Sequence, residues 1–120
     1  MSLLLVMFGG ALGAGARYLV ARATPEAWAP GATLAVNLTG GLLMGCLFAV
    51  LARTQAAEPW RLFLGVGVLG GFTTFSAFSL DAVTLAQRGE LLTAAGYVLA
   101  SVVGSIAALL AGLTLVRVAA

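Results

Sequence analysis

Hydroxyl, amide and aromatic side chains recur at helical spacing inside stretches that are otherwise Leu, Val, Ala and Gly. Tyr97, Ser101 and Ser105 fall at i, i+4 and i+8, a hydroxyl stripe along one helix face. Isolated serines in membrane helices usually bond their own backbone. A line of O–H donors along the membrane normal does something more: it partly replaces the hydration shell of a moving anion without the grip of a fixed positive charge. Thr33, Asn37 and Gly41 repeat the four-residue spacing, placing a hydroxyl, an amide and a bare backbone position on one face. Asn37 in hydrocarbon must find partners, either as glue to a neighbouring helix or as a donor to an anion. Phe75 and Phe78, three apart, share a helix face. Ordinary packing accounts for such a pair, and so does a second use, in which the positive ring edges face a small anion where no water fits.

The charged residues are few. Arg17 closes the glycine-rich segment Gly9-Gly10-Ala11-Leu12-Gly13-Ala14-Gly15-Ala16. A guanidinium at a span centre costs at least ~2.5–3.5 kcal/mol, less toward the ends. Snorkelling to the interface and the gathering of anions in a vestibule both explain it. Asp81 is either an interfacial residue or the acidic member of a gate. The chain has no histidine and one cysteine, Cys46, so zinc, histidine-based catalysis and an intrachain disulfide are excluded. Nothing in this inventory points to an enzyme.

The run Gly70-Gly71-Phe72-Thr73-Thr74-Phe75-Ser76-Ala77-Phe78-Ser79 is a poor way to build a plain membrane helix. Paired glycines and threonines are weak helix formers, and the hydroxyls can satisfy carbonyls released by a break. Lipid offers no hydrogen bonds, so irregular backbone at membrane depth survives only where protein buries it or where it lines a path for ions or water. The run therefore predicts a third span divided into Leu62 to Leu69 and Ser76 to Gln87.

These residues sit on a chain of 120 residues that is 62% hydrophobic and only 8% charged, with mean hydropathy +1.11. Soluble domains carry roughly a quarter of their residues charged, so this composition predicts an all-α integral membrane protein. Four spans are expected, at residues 3–22, 32–52, 62–86 and 91–116, within a single transmembrane domain over 1–120. Both termini then lie on one side. The first stretch has no basic residue ahead of its apolar core and is read as a span rather than a secretory signal. Gly9 and Gly13, and again Gly41 and Gly45, leave helix faces nearly bare for close approach of a neighbour.

Sorted by side, Arg53, Arg61 and Arg117 fall with the N-terminus, Arg22 and Arg88 opposite, and Arg17 nearer that second side. Orientation normally follows an excess of basic residues on the cytoplasmic side, and here there is almost none. Such a chain is expected to insert both ways. The sequence pI of 9.3 is assigned to flanking anchors rather than to nucleic-acid binding.

Over nearly its whole length the chain resembles the CrcB/Fluc family of fluoride channels. The resemblance rests on Gly9-Gly10 through Gly13-Ala14 to Arg17-Tyr18, on Gly31-Ala32-Thr33-Leu34-Ala35-Val36-Asn37 with Gly40, and on the Gly70 to Ser79 run, in that order. It implies a homodimer of two oppositely oriented subunits, with two pores along the dimer interface and one structural sodium ion at its centre. By the same resemblance Phe75 and Phe78 form an aromatic box, Asn37 is a pore amide, and Tyr97, Ser101 and Ser105, with Thr33, complete a polar fluoride path. Arg17 matches a vestibule arginine, and Gly70 and Thr73 would hold sodium through backbone carbonyls. Ala77 stands where the family often has Thr, and Asp81 where Glu is usual, which loosens any gating role for Asp81.

The expected function is passive, selective efflux of fluoride across the cytoplasmic membrane, protecting the cell from fluoride toxicity. Coupled proton exchange usually needs an intramembrane carboxylate, and none lies at mid-membrane. A small multidrug exporter, also four spans and able to form antiparallel dimers, is the alternative from another class, but such exporters depend on a glutamate in the first span, where this chain has Arg17. A non-transporting structural subunit is the third reading, permitted by the glycine-rich faces.

Overall fold

A computed structural model describes residues 1–55 and 57–120. All regular structure among them is helical. Helix α1 runs Ser2–Ala23 and α2 runs Ala29–Leu51 after a single 3-10 turn at Glu26–Trp28. Pro30 lies in the first turn of α2, where its missing N–H would have had no helical partner anyway. The third span opens with α3, residues 57–72. It is α-helical at Ala57–Trp60, widens to a π-helix over Arg61–Leu69, and tightens again at Gly70–Phe72. Helix α4 (Phe75–Gln87) completes that span, and α5 (Leu91–Ala119) is the fourth. The four segments Ser2–Ala23, Glu26–Leu51, Ala57–Gln87 and Leu91–Ala119 are each long and apolar enough to cross a membrane.

Small residues decide who packs with whom. An added Cβ at Gly9 or Gly13 would run into the Phe63 or Val68 carbonyl of α3, and one at Gly71 would come within 2.6 Å of the Gly10 carbonyl oxygen. On the other side of the bundle Gly45 meets the Leu109 carbonyl of α5 and Gly112 meets the Leu42 carbonyl of α2. Helices α1 and α3 thus form one backbone-close pair, α2 and α5 another, as the four-residue glycine spacing predicts.

Between α4 and α5 lies a compact apolar cluster of Phe78, Leu85, Ala94 and Tyr97, packed also against Leu34 of α2. The hairpin that brings these two helices together turns at Gly89, the only one of the described residues with positive φ, at 81°. Its N–H bonds to the Ala86 carbonyl and that of Glu90 to Leu85, both at 3.0 Å, a Schellman closure that needs a left-handed residue at this point. Outward-facing large side chains such as Phe8, Leu92 and Leu115 are exposed, as a lipid-facing surface requires.

The third span differs in detail from its expected division. Within the expected interval Gly70 and Gly71 remain helical, and the lapse is confined to Thr73 (φ −77°, ψ 155°) and Thr74 (φ −150°, ψ 126°). The glycines are spent on proximity: Gly71 lies against α1, where a side chain would not fit. The threonines can leave the helix because other groups take over their backbone bonds.

Candidate functional site

Those replacement bonds come from three helices. Asn37, in the middle of α2, accepts from the Thr74 N–H at 2.8 Å and donates from Nδ2 to the Thr74 carbonyl at 2.9 Å. Arg17, near the end of α1, donates from Nε to the Gly71 carbonyl at 3.1 Å. Within the span, Thr73 donates its hydroxyl to the Leu69 carbonyl at 2.9 Å, and Thr74 caps α4 by accepting the Ala77 N–H on Oγ1 at 3.2 Å. The Gly71 and Thr74 carbonyls and the Thr74 and Ala77 N–H groups, which a continuous helix would have paired internally, thus find partners despite the interruption.

One consequence concerns cations. In an unbroken helix the Thr74 N–H would close on the Gly70 carbonyl and the Ala77 N–H on that of Thr73. Both donors are diverted, to Asn37 and to the Thr74 hydroxyl respectively. The Gly70 and Thr73 carbonyls are thereby freed of their helical partners, and carbonyl oxygen is the donor type that a hard monovalent cation takes. No cluster of three or more His, Cys, Asp or Glu exists among the described residues, so side-chain ligation of a transition metal has no support.

Beside the interruption is a groove of about 570 Å³, bordered by Asn37 and Gly41 of α2, Gly70, Thr73, Thr74, Phe75 and Phe78 of the third span, and Ser101, Val102, Ser105 and Ile106 of α5. It gathers most of the residues singled out from sequence: Asn37, Gly70, Thr73, Phe75, Phe78, Ser101 and Ser105. The Ser101 and Ser105 hydroxyl oxygens are buried and make no hydrogen bond of good geometry among the described residues, although Ser101 lies beside the Tyr97 hydroxyl. An unpaired buried hydroxyl costs about 1–3 kcal/mol, so hydrogen-bonded packing within the chain does not account for these two positions on the groove wall. The Phe75 and Phe78 ring centroids are 5.4 Å apart with planes inclined by 46°. Phe78 is 8% exposed and anchored in the α4–α5 cluster, whereas Phe75 is 76% exposed, presenting its ring from the groove to whatever lies outside this chain.

A second cavity, about 210 Å³, holds three of the remaining four: Arg17, Thr33 and Asp81. Thr74 borders both cavities, so the interruption is the partition between them. Arg17 and Asp81 share this space without forming an ion pair; among the described residues the only ion pair is Glu58 with Arg61 at 2.8 Å, on the surface. Tyr97 lines neither cavity. Its ring lies 5.5 Å from that of Phe78 and its hydroxyl donates to Asp81 Oδ2 at 2.9 Å, with the Thr33 and Ser101 hydroxyls beside it.

Sequence reasoning did not single out Thr74, although it is the hub of the arrangement. Its signal was an Asn in one span opposite a non-helical pair in another, which a chain read one span at a time does not connect. The π-helical segment Arg61–Leu69 was likewise read as ordinary α-helix.

A family model described as CrcB-like protein, Camphor Resistance (CrcB), matches residues 4–113. A protein of Sphingopyxis alaskensis named fluoride-specific ion channel FluC is 52% identical over 120 residues, covering 97% of this chain and 95% of that one. Proteins of the same name from Mesorhizobium japonicum, 49% identical over 97% of this chain and 96% of its own length, and from Paracoccus denitrificans, 54% identical over 93% and 91%, are similarly close.

Proposed function

The chain belongs to the CrcB-like family, and from that membership we propose that it is a fluoride-specific ion channel, a multi-pass protein of the bacterial cell membrane, conducting fluoride passively out of the cell. Its relatives are named as ion channels rather than enzymes, and the family assignment displaces both the small multidrug exporter and the non-transporting subunit. The observation that carries the reading is the pair of buried hydroxyls of Ser101 and Ser105, which make no hydrogen bond of good geometry among the described residues, on the wall of a groove that also presents Phe75, Phe78 and Asn37.

Fluoride enters acidic surroundings as neutral HF, which dissociates inside, so an open anion path is protective without any coupling. A negative interior drives the anion outward with ~2.3 kcal/mol per 100 mV. In the proposed path Arg17 and Thr33 form the entrance cavity, with Asp81 a candidate gate through its bond to Tyr97. Ser101 and Ser105 then donate O–H groups in place of water, and Phe75 and Phe78 offer ring edges. Selectivity over chloride follows from width: a larger ion does not fit between the rings, while fluoride recovers its lost hydration from closely spaced donors.

The functional unit in this reading is an antiparallel homodimer of dual topology. Its support is the near-equal division of arginines between the two sides and the exposure of Phe75 and Ile106 on the groove's open rim, where a second copy would complete two pores. A structural sodium ion fits the carbonyls of Gly70 and Thr73, whose helical donors are diverted. It would supply a fixed charge without redox or acid–base chemistry. The test is efflux from vesicles carrying the purified protein, with fluoride and chloride measured side by side after a potassium ionophore is added.

A further inference from the structure

We infer that Asn37 acts as a positioning residue, its carboxamide serving as a surrogate backbone for Thr74 that selects the interrupted form of the third span over a continuous helix. Two extended residues at membrane depth leave N–H and C=O groups that lipid cannot satisfy. Asn37 answers both groups of one residue at once, 2.8 Å to the N–H and 2.9 Å from the carbonyl. The amide's orientation is dictated by this pairing, since a backbone N–H only donates and a carbonyl only accepts.

A second feature of α2 fits the same segment. Gly40 lies over the Thr73 methyl group, so that a Cβ there would collide with Thr73 Cγ2. Helix α2 therefore offers an amide for one non-helical threonine and a hollow for the other. Without the amide, the Thr74 N–H would be free to close on the Gly70 carbonyl, extending α3 and withdrawing an oxygen from the groove. The pairing also limits what Asn37 can give to an ion: of its two amide N–H groups, one is committed to Thr74. The shape of the path thus depends on Asn37 through Thr74 more than on direct contact. This inference rests on the channel reading for its flux arm only.

The test compares wild type, Asn37→Ser and Asn37→Asp in lipid vesicles, measuring deuterium exchange at the Thr74 N–H and fluoride efflux in parallel. Serine is too short to bridge, so Thr74 exchange accelerates roughly tenfold and efflux falls by at least a similar factor. Aspartate is the sharper probe. A neutral carboxyl reproduces both bonds, accepting on its C=O and donating its O–H, but has no spare N–H; the ionised form loses the donor. Over about pH 5 to 8, Asn37→Asp is therefore expected to match wild type in Thr74 protection and efflux at the acid end and to lose both as pH rises. Wild type at each pH controls for the other ionisable groups around the interruption, Arg17 on α1, Asp81 on α4 and Tyr97 on α5, and protein-free vesicles control for leakage of HF. Unchanged Thr74 protection in Asn37→Ser would overturn the inference, as would acid recovery of protection in Asn37→Asp without recovery of efflux, which is the outcome of a direct ion contact. If the serine variant does not assemble, the aspartate titration decides alone. If wild type releases no fluoride, the channel reading fails while the exchange measurements still decide the role of Asn37.

Discussion

Replacing Ser101 by alanine separates a channel wall from a packing contact, because the two accounts predict opposite signs for stability. Ser101 is 5% exposed, and its hydroxyl oxygen makes no hydrogen bond of good geometry among the described residues. A hydroxyl holding helices together would cost about 1 kcal/mol when removed. A buried hydroxyl with no partner instead carries an uncompensated desolvation cost of about 1–3 kcal/mol, which Ser101→Ala relieves. Alanine also has the higher helix propensity, a gain of a few tenths of a kcal/mol on α5. The variant should be at least as heat-stable as wild type. Its flux should fall, since a hydrogen bond to a charged partner is worth about 1.5–3 kcal/mol, and a barrier higher by that amount slows passage by about tenfold to a hundredfold. Heating in detergent followed by size-exclusion chromatography reads the first quantity, and ionophore-triggered fluoride efflux from vesicles reads the second. Wild-type flux in Ser101→Ala, or a clear loss of heat stability, would refute the assignment of this hydroxyl to the groove.

Other substitutions probe the surrounding parts. Phe75→Ile and Phe78→Ile should each abolish fluoride efflux while the protein still assembles; Phe78→Ile should also lower heat stability measurably because that ring is anchored in the α4–α5 cluster, whereas Phe75→Ile should not. Gly45→Ala places a methyl against the Leu109 carbonyl, a backbone atom that cannot turn aside, and is expected to cost roughly 1–3 kcal/mol or more, seen as reduced yield and early melting. Tyr97→Phe removes the donor to Asp81 and leaves a half-buried carboxylate short of a partner, so stability should fall by about 1–3 kcal/mol, read by the same heating assay.

Much of the scaffold could be read from residue order alone. Long uncharged stretches have few alternatives to membrane helices, and Gly9, Gly13, Gly41 and Gly45 announced the two close helix pairs because bare backbone on one face has little other use in lipid. The position of the helical lapse was less legible. Propensity spreads the weak stretch over Gly70, Gly71, Thr73 and Thr74, yet only the two threonines leave the helix, since tertiary bonds from Asn37 decide among them. The bond from Tyr97 to Asp81 was equally hidden: the four-residue spacing places Tyr97, Ser101 and Ser105 on one face, but the direction of a phenol O–H depends on a carboxylate from another helix. The π-helical Arg61–Leu69 carries no residue pattern distinct from that of an α-helix.

Vesicles loaded with equal fluoride and chloride, carrying the purified protein and opened to potassium by an ionophore, test the central claim most directly. The account predicts rapid release of fluoride with chloride retained as in protein-free vesicles; chloride leaving alongside fluoride, or neither ion leaving, would contradict it.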